Sequence, residues 1–288
     1  MPNFSDGRSA ETIDAIGAAL GAQAHVLDVH SDVDHNRSVF TIAGQAAELV
    51  EALVAGIACA RDRIDLRHHE GVHPRVGVAD VVPVVAVWPE QMEDAKQAAL
   101  ELAGRVGDEL TLPVFLYGEL APDVRPATLR REGLEELGRR VEARELKPDF
   151  GPGRLDPASG CVLVGARRPL IAFNVNLATD DLEVAHAIAA IVRETGGGFP
   201  GVRALGFPLP SRGLVQVSMN VEDWEVSPLD EVVARIDAEA AVRGVTVAGS
   251  ELVGLIPAGA AEPGGAALRL DSLDETRLLE PAVSRLAP

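Results

Sequence analysis

Leu170-Ile171-Ala172-Phe173-Asn174-Val175-Asn176-Leu177 carries large apolar side chains interleaved with small or amide ones, the two-residue period of a strand with one buried face. Outward from it the pattern continues as a helix over 180–193, strands over 202–207 and 214–221, a helix over 229–243 and a strand over 245–253. The order β-α-β-β-α-β is that of the ferredoxin-like split βαβ unit, an antiparallel sheet with helices on one face. Upstream, the spacing predicts a helix over 10–20 capped by Ser9, strands over 25–29 and 38–43, and a helix over 46–61. A strand over 80–87 follows, then a helix over 90–108 and a strand over 114–118. Pro83 inside the first of these argues for an edge strand or a bulge. This half reads as a looser relative of the same architecture.

An Arg/Glu-rich helical segment and the turn chemistry of Pro148-Asp149-Phe150-Gly151-Pro152-Gly153 precede a strand over 161–165. The fold class expected is therefore α+β: two ferredoxin-like subdomains, 1–168 and 169–258, with antiparallel-rich sheets facing a central crevice and helices outside. The Ala/Gly/Pro-rich stretch after 258 predicts a peripheral tail over 259–288.

Of the 288 residues, 47% are hydrophobic and 24% charged, which excludes bulk disorder, and aromatics make up only 3%. The net charge of −18 argues against general attraction to nucleic acid or an anionic membrane. An anionic ligand then needs a local cluster of Arg. Cys59 and Cys161 form no CxxC pair, and no leader or membrane-spanning stretch is legible, so a cytoplasmic location is expected.

Three constellations carry chemistry. In Gly71-Val72-His73-Pro74-Arg75-Val76-Gly77, an imidazole able to take and return a proton near neutral pH follows one glycine and precedes a proline that restricts its backbone. The same segment also fits a solvated loop. In His30-Ser31-Asp32-Val33-Asp34-His35-Asn36-Arg37, two His and two Asp could ligate a divalent metal, or the turn is solvated with Asp32 and Asp34 bonded to backbone. There Asn36 and Arg37 offer an amide and a guanidinium to a carboxylate. In Ser159-Gly160-Cys161-Val162-Leu163-Val164-Gly165-Ala166-Arg167-Arg168, the glycines permit close approach by a planar ligand and the twin Arg can answer carboxylates. An ordinary hairpin turn over 165–169 is the alternative. Arg125, Arg130, Arg131, Arg139, Arg140 and Arg144 read mostly as a solvated helix face paired with Glu. Asn174, Asn176, Gln216 and Asn220 face the crevice or finish a sheet edge.

Taken together with Pro2 to Gly7, Asp80-Val81-Val82-Pro83, Val114 to Glu119, Gln216-Val217-Ser218-Met219-Asn220 and Gly249 to Pro257, these segments resemble, in order, the glutamate formiminotransferase family, the transferase portion of formiminotransferase-cyclodeaminase. The resemblance implies transfer of a formimino group from N-formimino-L-glutamate to N5 of tetrahydrofolate, in histidine degradation. It puts the catalytic His at His73 and the folate-binding segment at Ser159 to Arg168. It also implies a homodimer, tetrahydrofolate as co-substrate and no metal. Chemistry then nominates Asn36, Arg37 and Arg75 for the substrate carboxylates. No length remains for a cyclodeaminase, so a separate one is expected downstream. The sequence departs from the family pattern at Val72, where an acidic residue often precedes the His, and at Ser159, which replaces an aromatic. A non-catalytic binding module of this fold, or a hydrolase with a metal on His30, Asp32, Asp34 and His35, are the competing readings.

Overall fold

The computed structural model describes residues 1–286, and the chain divides into two compact units, Met1–Arg168 and a second from Pro169 onward. The first begins with a strand that the sequence reading passes over, β1 (Asn3–Phe4). Then come α1 (Ala10–Gly21), β2 (His25–Asp32), β3 (Arg37–Ala43), α2 (Ala46–Arg63) and β4 (Ala79–Val85). Ser9 caps α1 as expected, its side chain accepting from Thr12 N. β1 pairs antiparallel with both β3 and β4, so β2-β3-β1-β4 is a ferredoxin-like sheet in its own right. Two residues suffice because Phe4 is fully buried and packs edge-on against Phe40, ring centres 5.6 Å apart.

The sheet then grows by parallel strands. α3 (Met92–Glu109) returns the chain to β5 (Val114–Gly118), and after α4 (Pro126–Arg130) and α5 (Gly133–Glu142) the chain enters β6 (Val162–Arg167) between β4 and β5. β6 is parallel to both neighbours, so the six-stranded sheet is mixed. An 18-residue helix such as α3 is long enough for the crossover that parallel strands need. Pro83 sits inside the sheet rather than at an edge. Its carbonyl accepts from the Met1 amino group at 3.0 Å, so its missing N–H faces the side where the short β1 has ended.

Residues 161–166 are buried on both faces. Val162, Val164 and Ala166 join the core under α2 and α3, whereas Cys161 and Leu163 join Phe115, Tyr117, Leu129, Leu137 and Val141 in a second core beneath α4 and α5. Helices thus cover both faces of this sheet at β5 and β6, against the expectation of one covered face.

In the second unit β7 (Ile171–Leu177), α6 (Leu182–Val192), β8 (Val202–Leu209), β9 (Leu214–Val221), α7 (Leu229–Val242) and β10 (Val247–Val253) follow the expected order. The sheet runs β10-β7-β9-β8 with every pairing antiparallel. Since β6 and β7 lie in different sheets, 165–169 is no hairpin turn. Within 259–286, Leu268 and Leu279 are buried, and Ser250 N, Ile256 N and Leu279 N bond to Arg269 O, Arg277 O and Ile256 O at 2.8–2.9 Å. Among the described residues no helix is long and apolar enough to cross a membrane.

Candidate active site

The loop between α2 and β4 carries His73 and is held by its neighbours through backbone. Val72 N donates to Asp34 O at 3.1 Å, and Cys161 N donates to Val76 O at 2.9 Å. Gly77 is required by that contact, since a Cβ there would stand 1.8 Å from the Cys161 carbonyl oxygen. Arg75 staples the loop from within, its Nη2 donating to His35 O at 3.1 Å and His73 O at 2.6 Å while Nη1 meets His69 Nδ1. Its guanidinium is thus engaged by the loop itself, and burial first, then Arg37, lowers its pKa to about 10.

His73 is half-buried, its ring centre 5.8 Å from that of His35. Its Nδ1 lies 2.7 Å from Pro74 O, a pure acceptor, so Nδ1 carries the proton and Nε2 the basic lone pair. Burial, then the charges of Arg37 and Arg130 and the neighbouring His35, push the imidazole well below its usual range. At neutral pH it is an uncharged base.

Arg37, at the head of β3, donates through Nε and Nη2 to Asn3 Oδ1 at 3.1 and 2.7 Å. Its Nη1 donates to Asp80 Oδ2 at 2.7 Å and sits 3.5 Å from His73 Nδ1. Asn36 has a left-handed φ of 47° and an amide engaged at both ends, Oδ1 accepting from Gly7 N and Nδ2 donating to Glu70 O, each at 2.9 Å. In this structure it ties β3 to two loops rather than presenting an open carboxylate grip.

Two charged groups joined to Arg37 or to its carboxylate partner escaped the sequence reading. Asp80 is fully buried, its Oδ2 taking Arg37 at 2.7 Å and Arg130 at 2.6 Å and its Oδ1 taking Val76 N at 2.9 Å. Burial alone would raise this carboxyl, but Arg130 and Arg37 hold it below the usual range. Arg130, assigned by its helix to a solvated face, instead turns inward from α4 with 13% of its side chain exposed. The available signal was a single charge in the apolar run Val78-Ala79-Asp80-Val81-Val82, which demands a buried partner.

The segment Ser159 to Arg168 is mostly β6. Cys161, Val162, Leu163, Val164 and Ala166 are buried in the two cores, and burial pushes the Cys161 thiol up into an inert range. The planar group lying against Gly165 is the Tyr117 ring, where a Cβ would meet ring atoms at 2.7 Å. Gly160 packs against Val76 O, and Ser159 Oγ donates to Asp156 Oδ2 at 3.1 Å. Arg167 is half-buried, its Nη1 donating to Arg168 O at 2.9 Å, and Arg168 is exposed.

Asp32 Oδ1 accepts from Asp34 N and His35 N at 2.8 and 2.7 Å, the backbone-bonded turn foreseen as the alternative to metal. Among the described residues no group of three or more His, Cys, Asp or Glu is placed to hold a metal ion. In the second unit Gln216 Nε2 donates to Asn176 Oδ1 at 2.9 Å, and Asn176 Nδ2 to Glu251 Oε1 at 3.0 Å, while Glu251 also pairs with Arg212. These amides close a network across β7, β9 and β10; Asn220 is exposed.

The family described as the formiminotransferase domain, N-terminal subdomain, matches residues 1–167, and the formiminotransferase domain matches residues 172–266. The chain is 38% identical to a glutamate formimidoyltransferase of Thermoplasma acidophilum over 100% of its own length and 97% of the relative's. It is 39% identical to one of Streptococcus pyogenes serotype M1, covering 90% of this chain and 88% of the relative. A formimidoyltransferase-cyclodeaminase of Rattus norvegicus is 39% identical over 89% of this chain, which spans 49% of that longer protein. With both units matched and the relatives aligned along nearly the whole sequence, the chain belongs to the formiminotransferase family.

Proposed function

We propose that this protein is a glutamate formiminotransferase, moving the formimino group of N-formimino-L-glutamate to N5 of tetrahydrofolate. The observation that carries the reading is the His73 imidazole, kept uncharged by burial and the neighbouring Arg37 and Arg130, with Nδ1 2.7 Å from Pro74 O. N5 of the reduced pterin attacks the electrophilic formimino carbon, and Nε2 accepts the proton that N5 gives up. The tetrahedral intermediate then breaks its bond to the glutamate nitrogen, which leaves as an amine carrying the proton returned by His73. Binding both substrates in one site supplies the orientation that free solution lacks.

An imidazole with a strongly lowered pKa is a good proton donor but a weak base, and the substrates correct this. N-formimino-glutamate brings two carboxylates and tetrahydrofolate at least one more, and these anions near Arg37 and Arg75 offset the cations that depress His73. Arg167 and Arg168 complete the cationic surface, on the folate side. We read 1–168 and 169–258 as the two formiminotransferase subdomains, the protein as a cytoplasmic homodimer, and the reaction as a step of histidine breakdown.

The test is to incubate the purified protein with both substrates and follow 5-formiminotetrahydrofolate by absorbance, with glutamate measured in parallel. Equimolar appearance of both products supports the reading. Tight binding of either substrate with no product identifies a non-catalytic module instead.

A further inference from the structure

A carboxylate with no exposed surface, joined to two guanidiniums and one backbone amide of the catalytic loop, is a costly arrangement that core packing does not require. We propose that Asp80 is a positioning residue for the transfer reaction: its carboxylate clamps Arg37, Arg130 and the Val76 amide together, and so sets the cationic pair and the His73 loop in one fixed register. This rests on the reading of His73 as the proton carrier.

The geometry is specific. Each Asp80 oxygen serves two partners, Oδ2 taking Arg37 Nη1 and Arg130 Nη2, and Oδ1 taking Val76 N and, at 3.3 Å, Arg130 Nε. Arg130 therefore approaches with two nitrogens, one to each oxygen, a fork that fixes its plane. Arg37 is fixed from a second direction by Asn3 Oδ1 and, so held, keeps Nη1 3.5 Å from His73 Nδ1. The Val76 amide lies three residues beyond His73 on the same loop, so one carboxylate aligns both the base and the charges beside it. The groups acting on His73 come from separate elements, Arg37 from β3, His35 from the β2–β3 turn and Arg130 from α4; Asp80 of β4 pairs with both arginines, and within the loop Arg75 meets His69 and donates to His73 O. Tyr117 of β5 borders Asp80 and Arg130.

Such a hub makes opposite predictions for its two signs. Asp80→Asn keeps shape and an acceptor for Val76 N but leaves the two guanidiniums uncompensated, so the acid limb of kcat/KM for N-formimino-glutamate moves to lower pH and kcat/KM falls on the order of 100-fold. Arg130→Gln removes one cation while Arg37 stays paired, and moves the same limb to higher pH. Asp80→Glu, which restores the charge, recovers part of the rate lost in Asp80→Asn. Damage to packing alone lowers activity in both variants without moving the limb in two directions. Should Asp80→Asn fail to fold, the Arg130→Gln limb decides: an unmoved or acid-shifted limb overturns the proposal. His73→Ala is run alongside. If it retains full transfer, the reading of the site fails; if it is inactive while Asp80→Asn keeps the wild-type rate and limb, only the role given to Asp80 falls.

Discussion

The His35 ring lies 5.8 Å from the His73 ring and is tilted 42° to it, each imidazole belonging to the residue that follows one partner of the Val72 N–Asp34 O bond. A second imidazole this close disfavours protonation of the first. His35→Gln removes that neighbour and keeps a polar side chain. We expect the acid limb of kcat/KM to rise towards the ordinary imidazole range while kcat changes less than about tenfold, read from rates between pH 5 and 8.

The lowered imidazoles also couple folding to pH. His73 is depressed by burial, Arg37, Arg130 and His35, and His69 by burial and Arg75. Below the unfolded value of about 6.5 the unfolded chain binds protons that the folded chain refuses, so stability is full above that pH and declines as pH falls towards the folded values. Asp80, also lowered, adds nothing in this window because both its states are ionised there. Urea midpoints between pH 7.5 and 5 should fall with acidification, by at most ~1.4 kcal/mol per pH unit for each His, and His73→Gln should flatten the curve. Equal slopes in both proteins would contradict the burial of this imidazole.

Glycine at 77 is a matter of contact. A methyl group there would overlap the Cys161 carbonyl, which belongs to backbone and has no side chain to swing aside. Gly77→Ala is expected to cost roughly 3 kcal/mol or more and to displace the His73 loop from β6, measured as a lower melting temperature with activity lost below it. At Gly165 the obstruction is the Tyr117 ring together with the Tyr117 carbonyl oxygen, so Gly165→Ala should be destabilising and only partly relieved by Tyr117→Leu.

Leu268 tests whether the final segment is structural. It is fully buried in the core of the second unit. Leu268→Ala should destabilise by ~2–5 kcal/mol in chemical denaturation, whereas a loosely attached tail would tolerate it.

Much of the second unit was legible because each strand alternates cleanly and each helix shows one apolar stripe, as in Phe173, Val175 and Leu177 beside Asn174 and Asn176. In the first unit β1 escaped because two residues hold no period, and its evidence is tertiary, the edge-on packing of Phe4 against Phe40. The parallel insertion of β6 escaped for another reason: a strand buried on both faces reads as a plain apolar run and says nothing of its neighbours. At the site, His73 and Arg37 were visible as residue types in a constrained loop and at a strand entrance. Asp80 and Arg130 were in view, but their pairing joins a strand to a helix 50 residues on, which local pattern does not encode. The same limit hid the engagement of Asn36 with Gly7 and Glu70 and the burial of the Cys161 to Ala166 side chains.

Metal removal separates the remaining hydrolase reading. The turn carboxylate of Asp32 is bonded to backbone amides, so extensive dialysis against chelator should leave formimino transfer unchanged, and added zinc or magnesium should not raise it. Activity that depends on added metal would overturn this.

The most direct measurement is the rate of 5-formiminotetrahydrofolate formation by His73→Gln beside the wild type, with circular dichroism and substrate binding measured on the same samples. With fold and binding retained, the account predicts a loss of kcat of about 10²–10⁴-fold; a variant that turns over within threefold of the wild type would contradict it.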